Sequence, residues 1–249
     1  MDITGNTILV TGGGTGIGRG LAEALHATGN TVIIAGRRLA PLEAVASAHP
    51  GMHLATLDID DASGIPDFAA RVAAEHPRLN ILVNNAGIMR VEDVLTGPDA
   101  LAIAEATITT NLLGPIRLTS ALLPHLLAQP KAAVVNVSSG LAFVPRADTP
   151  TYSATKAAIH SYSISLRHQL RNSAVQVIEL APPLVATDLT PGQRDNPRAL
   201  ALEDFIRESM ALLAADPNAA EILVERVKTQ RTAEATGRFG AVFDMINPH

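Results

Sequence analysis

The chain has 249 residues, of which 47% are hydrophobic and only 3% aromatic, so aliphatic side chains must build one large core. Its net charge of −5 includes no block of like charges, which argues against a nucleic-acid partner. It contains no cysteine, and this excludes disulfides, thiolate metal sites and cysteine nucleophiles.

Met1-Asp2-Ile3-Thr4 opens without the basic and apolar regions of a signal peptide, and no apolar run approaches the ~18 residues of a membrane span. A cytoplasmic protein with no membrane partner is therefore expected. Residues 7–11 read as a buried strand, and 16–28 show helical apolar spacing. A second strand at 31–35 ends in Gly36-Arg37-Arg38, and a helix is predicted over 39–48. The third strand is 52–57, followed by a helix at 63–75. The fourth is 79–83, which runs into Asn84-Asn85-Ala86-Gly87. Helices at about 100–113 and 115–128 follow, the second accepting Pro115 at its first position. A fifth strand at 131–137, a long helix at 151–171 and a sixth strand at 175–180 complete the regular part.

Residues 182–197 read as a loop or lid, and 202–214 as an amphipathic helix. A seventh strand is preferred at 221–225, where periodicity fits a helical turn as well. The strand–helix alternation implies an α/β fold in one domain over 1–249, a doubly wound parallel sheet with helices on both faces. Its dinucleotide-binding part spans about 5–140, its catalytic part 130–190 and its substrate lid 182–215. In such sheets ligands bind beyond the carboxyl ends of the strands.

Thr11-Gly12-Gly13-Gly14-Thr15-Gly16-Ile17-Gly18 lies between the first strand and the first helix. Its glycines let the backbone turn sharply and approach a ligand. The helix start offers free N–H groups suited to a pyrophosphate, which makes Gly12, Gly14, Thr15, Gly16, Ile17 and Gly18 the phosphate cradle. A carboxylate after the second strand would favour NAD(H) by binding ribose hydroxyls. Arg37 and Arg38 stand there instead. A guanidinium can hold a 2′-phosphate through charge-assisted bonds, so NADP(H) is the preferred cofactor and NAD(H) a possible one. Asp58 can accept from the adenine amino group or cap its own turn. Asn84, Ala86 and Gly87 can lie against the adenosine side, although Asn84 can equally satisfy a buried strand end.

Tyr152 and Lys156 fall four residues apart on one predicted helical face, roughly 5–6 Å apart at Cβ. Reducing a ketone needs a hydride on carbon and a proton on oxygen, and a free phenol with a pKa near ~10 exchanges poorly. Two unit charges at ~4 Å with an effective ε of ~20 interact by ~4 kcal/mol. Lys156 is thus expected to draw the Tyr152 phenol down toward the range of general acid–base catalysis. Ser139, which follows Ser138 at the end of the fifth strand, can donate to the carbonyl oxygen. The eight histidines, His160 and His249 among them, are scattered over predicted surfaces and turns, so no metal site is expected.

With TGGGTGIG at 11–18, NNAG at 84–87, Asn111, Ser139 and YSATK at 152–156 in order, the chain resembles the short-chain dehydrogenase/reductase family over about 5–190. The resemblance implies a Rossmann-like NAD(P)(H)-dependent oxidoreductase with the tetrad Asn111, Ser139, Tyr152 and Lys156. It also implies that Lys156 binds the nicotinamide ribose, and that Asn111 holds a water relaying protons to it. Pro182, Val185 and Thr187 match cofactor positions, but Pro182-Pro183 replaces the usual Pro-Gly, and the second proline fixes φ. The usual closing glycine-rich strand region is missing as well. Relatives form homodimers or homotetramers, which the resemblance extends to this chain.

Ile88, Met89, Leu141, Phe143 and Leu184 are the expected substrate lining, beside Ser139 and Tyr152. Their apolar character favours a hydrophobic aryl or alkyl ketone, or the matching secondary alcohol. A 3-oxoacyl or other oxo-ester reductase is the alternative within the class. A non-catalytic NADPH-binding regulator and a redox-neutral epimerase or dehydratase are the alternatives outside it.

Overall fold

In the computed structural model, which describes residues 1–248, one parallel sheet is built from β1 (Thr7–Thr11), β2 (Thr31–Gly36), β3 (His53–Thr56), β4 (Leu79–Asn84), β5 (Ala132–Val137), β6 (Val175–Leu180) and β7 (Glu221–Ile222). The spatial order is β3-β2-β1-β4-β5-β6-β7. The winding therefore reverses between β1 and β4, and the ligand crevice of such a sheet lies outside their carboxyl ends.

Both faces of the sheet are buried, which is why the strands read as continuous apolar runs. Ile8, Val10, Ile34 and Val83 point to one core with Leu21 and Leu25 of α1 (Gly16–Ala27), Leu42 of α2 (Leu39–Ala48) and Phe205 of α7 (Leu202–Ala215). Leu9, Ile33, Leu82 and Val134 point to the other. There they meet Phe68 of α3 (Gly64–Glu75), Leu118 and Leu122 of α5 (Gly114–Leu127) and Leu166 of α6 (Pro150–Gln169).

The structure departs from the sequence reading in two places. The helix expected over 100–113 is α4 (Pro98–Ile108), followed by a π turn at Thr109–Leu113 that runs directly into α5. Such wide turns concentrate at functional sites, and Asn111 lies within this one. The expected seventh strand shrinks to two paired residues, because Glu225–Val227 turn into a 3₁₀ helix. Beyond it, α8 (Lys228–Arg231) and α9 (Phe239–Ile246) fold back toward the segment after β5. The 182–197 segment is a loop as expected, tied to Leu200 by the amide of Ala186 at 2.8 Å.

Candidate active site

Gly12 leaves β1 with a φ of 66°, a conformation that a Cβ disfavours. A Cβ on Gly18 would lie 2.2 Å from Asn85 Nδ2, so the loop closes beneath Asn85 only with glycine there. Asn85 Nδ2 donates to the Thr11 carbonyl at 2.9 Å, and the amides of Asn85 and Ala86 each donate to Thr11 Oγ1 at 3.0 Å. These bonds fix the 84–87 turn, Gly87 included, against the glycine loop. Thr15 is exposed, and α1 begins with neither a capping side chain nor an acid in its first turn. Its leading N–H groups are free to take an anion. Thr187 faces this cradle, since a Cβ on Gly16 would stand 3.6 Å from its side chain. Gly14, Thr15, Gly16, Ile17 and Thr187 thus fit a pyrophosphate. Arg37 and Arg38 are exposed beyond β2.

Other expected cofactor residues also make contacts within the fold. Asn84 is 4% exposed, and its Nδ2 donates to Thr119 Oγ1 and Asn136 Oδ1, both at 2.9 Å. Its side chain serves the fold. Asp58 is exposed and accepts from the Asp60 amide at 3.1 Å, closing its own turn. Val185 is buried, and its carbonyl accepts from Gln193 Nε2 at 2.9 Å. Pro182 is buried, with its carbonyl accepting from the Gly140 amide at 2.8 Å, so it braces the Ser139 loop.

Asn84, Asn136, Glu179 and Glu221 lie side by side in register across β4, β5, β6 and β7. This polar row crosses the carboxyl ends of four strands. Helix α6 meets it with a polar stripe of its own. Lys156 Nζ donates to the Val137 carbonyl at 2.8 Å, His160 Nδ1 lies 2.7 Å from Glu179 Oε2, and Ser163 Oγ accepts from Asn136 at 2.9 Å. Spacings of four and three residues keep these side chains on one helical face. The stripe explains how a helix with so little apolar contrast is held against the sheet.

Tyr152 and Lys156 are 7% and 5% exposed, and the ammonium lies 5.6 Å from the phenol ring centre. The Ser139 hydroxyl lies near enough to the phenol to favour its ionised form, and it accepts from the Leu141 amide at 3.1 Å. Asn111 is 1% exposed, with Oδ1 accepting from the Ile88 amide and Nδ2 donating to the Ile88 carbonyl, each at 2.8 Å. The same amide reaches Thr155 Oγ1 at 3.4 Å. Three parts of the chain therefore bring the tetrad together: the π turn, the loop after β5 and α6.

The expected effect of Lys156 on Tyr152 is overturned. Burial pushes the phenol up to about 12, with the Ser139 hydroxyl opposing it, because an anion away from water is costly. Burial also brings Lys156 down to about 8, against the pull of the Glu179 carboxylate. Lys156 directs its ammonium to a backbone carbonyl, so desolvation outweighs its attraction for a phenolate.

On the substrate side, Ile88, Leu141 and Leu184 are partly or largely accessible, whereas Met89 is buried. Phe143 is partly buried. Its ring meets His160 edge-on at 5.0 Å and lies under the Arg231 guanidinium at 5.0 Å. It therefore packs partly beneath the loop, against α6 and α8. Two further residues hold this loop and gave no local signal in the sequence. The Glu92 carboxylate accepts from the Thr151 amide and hydroxyl at the start of α6, at 3.2 and 2.6 Å. Asn247 accepts from the Ala147 amide at 2.6 Å and donates to the Pro145 carbonyl at 3.1 Å.

His160 is partly buried on α6 rather than scattered on a surface or turn, grouped with Glu179 and Glu221. His249 lies outside the described residues. The carboxylates of this group already have donors: Ser138 and His160 for Glu179, Arg231 for Glu221.

Residues 6–198 match the profile of the short chain dehydrogenase family. Over 99% of this chain and 98% of the other, the sequence is 41% identical to an uncharacterized oxidoreductase, DltE, of Bacillus subtilis (strain 168). It is 31% identical to the 3-oxoacyl-[acyl-carrier-protein] reductase FabG of Chlamydia pneumoniae, over 80% of this chain and 82% of that one. Among solved structures, a short chain dehydrogenase from Burkholderia cenocepacia J2315 in complex with NADP superposes with a TM-score of 0.82. The identity there is 26%, covering 98% of this chain and 99% of the other.

Proposed function

The chain belongs to the short-chain dehydrogenase family of NAD(P)-dependent oxidoreductases, and from that membership we propose that it is an NADPH-dependent reductase of hydrophobic ketones. The observation that carries the proposal is the buried Tyr152 phenol, beside the Ser139 hydroxyl and one helical turn from Lys156. When bound, the nicotinamide supplies or accepts the hydride. Ser139 orients the carbonyl oxygen by donating to it, and Tyr152 passes its proton to the same oxygen as charge develops there. A phenol held in its protonated form by burial suits the reductive direction. Lys156 then supplies positive charge close to the oxygen left behind, and Asn111 fixes the Ile88 segment and Thr155 around them.

Ile88, Leu141 and Leu184 give the mouth an apolar character, which supports an aryl or alkyl ketone. Likeness to a 3-oxoacyl reductase favours a second reading, an oxo-ester or oxo-thioester substrate. NADPH absorbance followed over a panel of ketones, aldehydes and 3-oxo thioesters separates the two. Tyr152→Phe is expected to reduce turnover by at least about 10²-fold while NADPH still binds. Undiminished turnover in that variant would remove the mechanism.

A further inference from the structure

We propose that Glu179 is a positioning residue, whose buried carboxylate is the counter-charge that keeps Lys156 a cation beside Tyr152. This rests on the reading of Tyr152 and Lys156 as the proton-handling pair. Glu179 is 1% exposed in β6, a place where an ionised carboxylate persists only if it is fully hydrogen-bonded and electrically paired. The hydrogen bonds are there. Ser138 Oγ donates to one oxygen at 2.5 Å and His160 Nδ1 lies 2.7 Å from the other.

The electrical pairing comes from the helix above. Lys156 and His160 share one face of α6, four residues apart. Lys156 Nζ is bonded to Val137 O, the carbonyl immediately before Ser138, so ammonium and carboxylate border the same strand end. Glu221 of β7 is neutralised separately by Arg231 of α8, at 3.2 Å. The other charged group of this face, Arg167, is bonded to backbone carbonyls of Val177 and Ala220. Tyr152 on α6 stays protonated. Glu179 and Lys156 are thus the buried carboxylate and the buried ammonium of this strand end, with the His160 ring hydrogen-bonded to the same carboxylate, and the carboxylate raises the affinity of Lys156 for its proton.

The sign of the effect follows. Burial alone would strip Lys156 of its proton at lower pH, and Glu179 opposes this, so loss of the carboxylate should release the proton earlier. A double-mutant cycle on the full chain tests the pairing without any substrate, comparing thermal stability of Glu179→Gln, Lys156→Met and the double variant at pH 7 and pH 10. At pH 7 the double variant should regain much of the melting temperature lost by Glu179→Gln, because it no longer buries an unpaired cation. At pH 10, above the point where Lys156 becomes neutral, that recovery should disappear. Additive losses at pH 7, or a double variant that fails to fold as the single does, would mean that Glu179 serves packing alone and overturn the proposal.

With an active substrate, the alkaline limb attributable to Lys156 in kcat/KM for reduction should move down by about one pH unit or more in Glu179→Gln. It should return toward the original in Glu179→Asp. An unmoved limb also overturns the proposal. Absence of turnover with every ketone would count against the proposed reaction and leave the stability cycle to decide on Glu179.

Discussion

At the scale of single residues, charge placement decides cofactor preference more than proximity does. Arg37 comes within 3.7 Å of Asp60, but 67% of its side chain is exposed, and exposed pairs of this kind contribute only ~0–1 kcal/mol. Asp60 therefore does not lock the guanidinium away from a 2′-phosphate. A charge-assisted bond is worth about 1.5–3 kcal/mol, and ~1.4 kcal/mol is tenfold in binding. Arg37→Glu is accordingly expected to raise KM for NADPH at least roughly tenfold more than KM for NADH. Steady-state kinetics with both cofactors decide it, and equal changes would remove the assignment. At this scale much was legible, because the glycine loop and the Tyr152–Lys156 spacing are local patterns with a direct physical meaning. The direction of the Tyr152 shift was not. It depends on how much water reaches the phenol, and spacing along a helix carries no information about that.

At the scale of elements, α6 is held by its ends and its polar face. Glu92, only 7% exposed, accepts two hydrogen bonds from Thr151, and its own amide donates to the Asp148 carbonyl at 2.8 Å. A carboxylate at this position also meets the positive end of the helix. Glu92→Ala should lower the unfolding free energy by about 1–3 kcal/mol, as read from urea denaturation, and depress turnover more than NADPH affinity. An unchanged midpoint would show that Pro150 and the surrounding packing fix the helix start by themselves. The sequence marked α6 through its long run and its Tyr-Lys pair. Glu92 escaped notice because it follows a different strand and looks like any surface acid. The π turn at Asn111 escaped for a related reason: its residues are ordinary helix formers, and only the tertiary demand for Asn111 to bind Ile88 widens the turn.

At the scale of the whole molecule, the cofactor crevice and the catalytic loop are stabilised by different parts of the chain. The crevice is closed by residues of β1, α1 and the 84–87 turn. The loop from Ser139 to Tyr152 is backed by the last elements, with Val144 buried against Ala233 and Val242, and Asn247 bonded to Pro145 and Ala147. Asn247→Ala should therefore raise KM for the ketone and lower kcat, each several-fold, and leave NADPH binding unchanged in a fluorescence titration. Equal kinetics would show that the loop holds its own shape. The alternation of strands and helices made the sheet legible, since each βα unit declares itself locally. The packing of 225–248 onto the loop was hidden, because it joins segments with no shared pattern.

Ala147 and Asn247 lie 100 residues apart in the chain, and this separation sets a timetable for synthesis. At about 5–20 residues per second, the final clasp can form only some 5–20 s after the loop has left the ribosome. The nascent protein would be able to hold its dinucleotide before it can use it, and catalytic competence would arrive last.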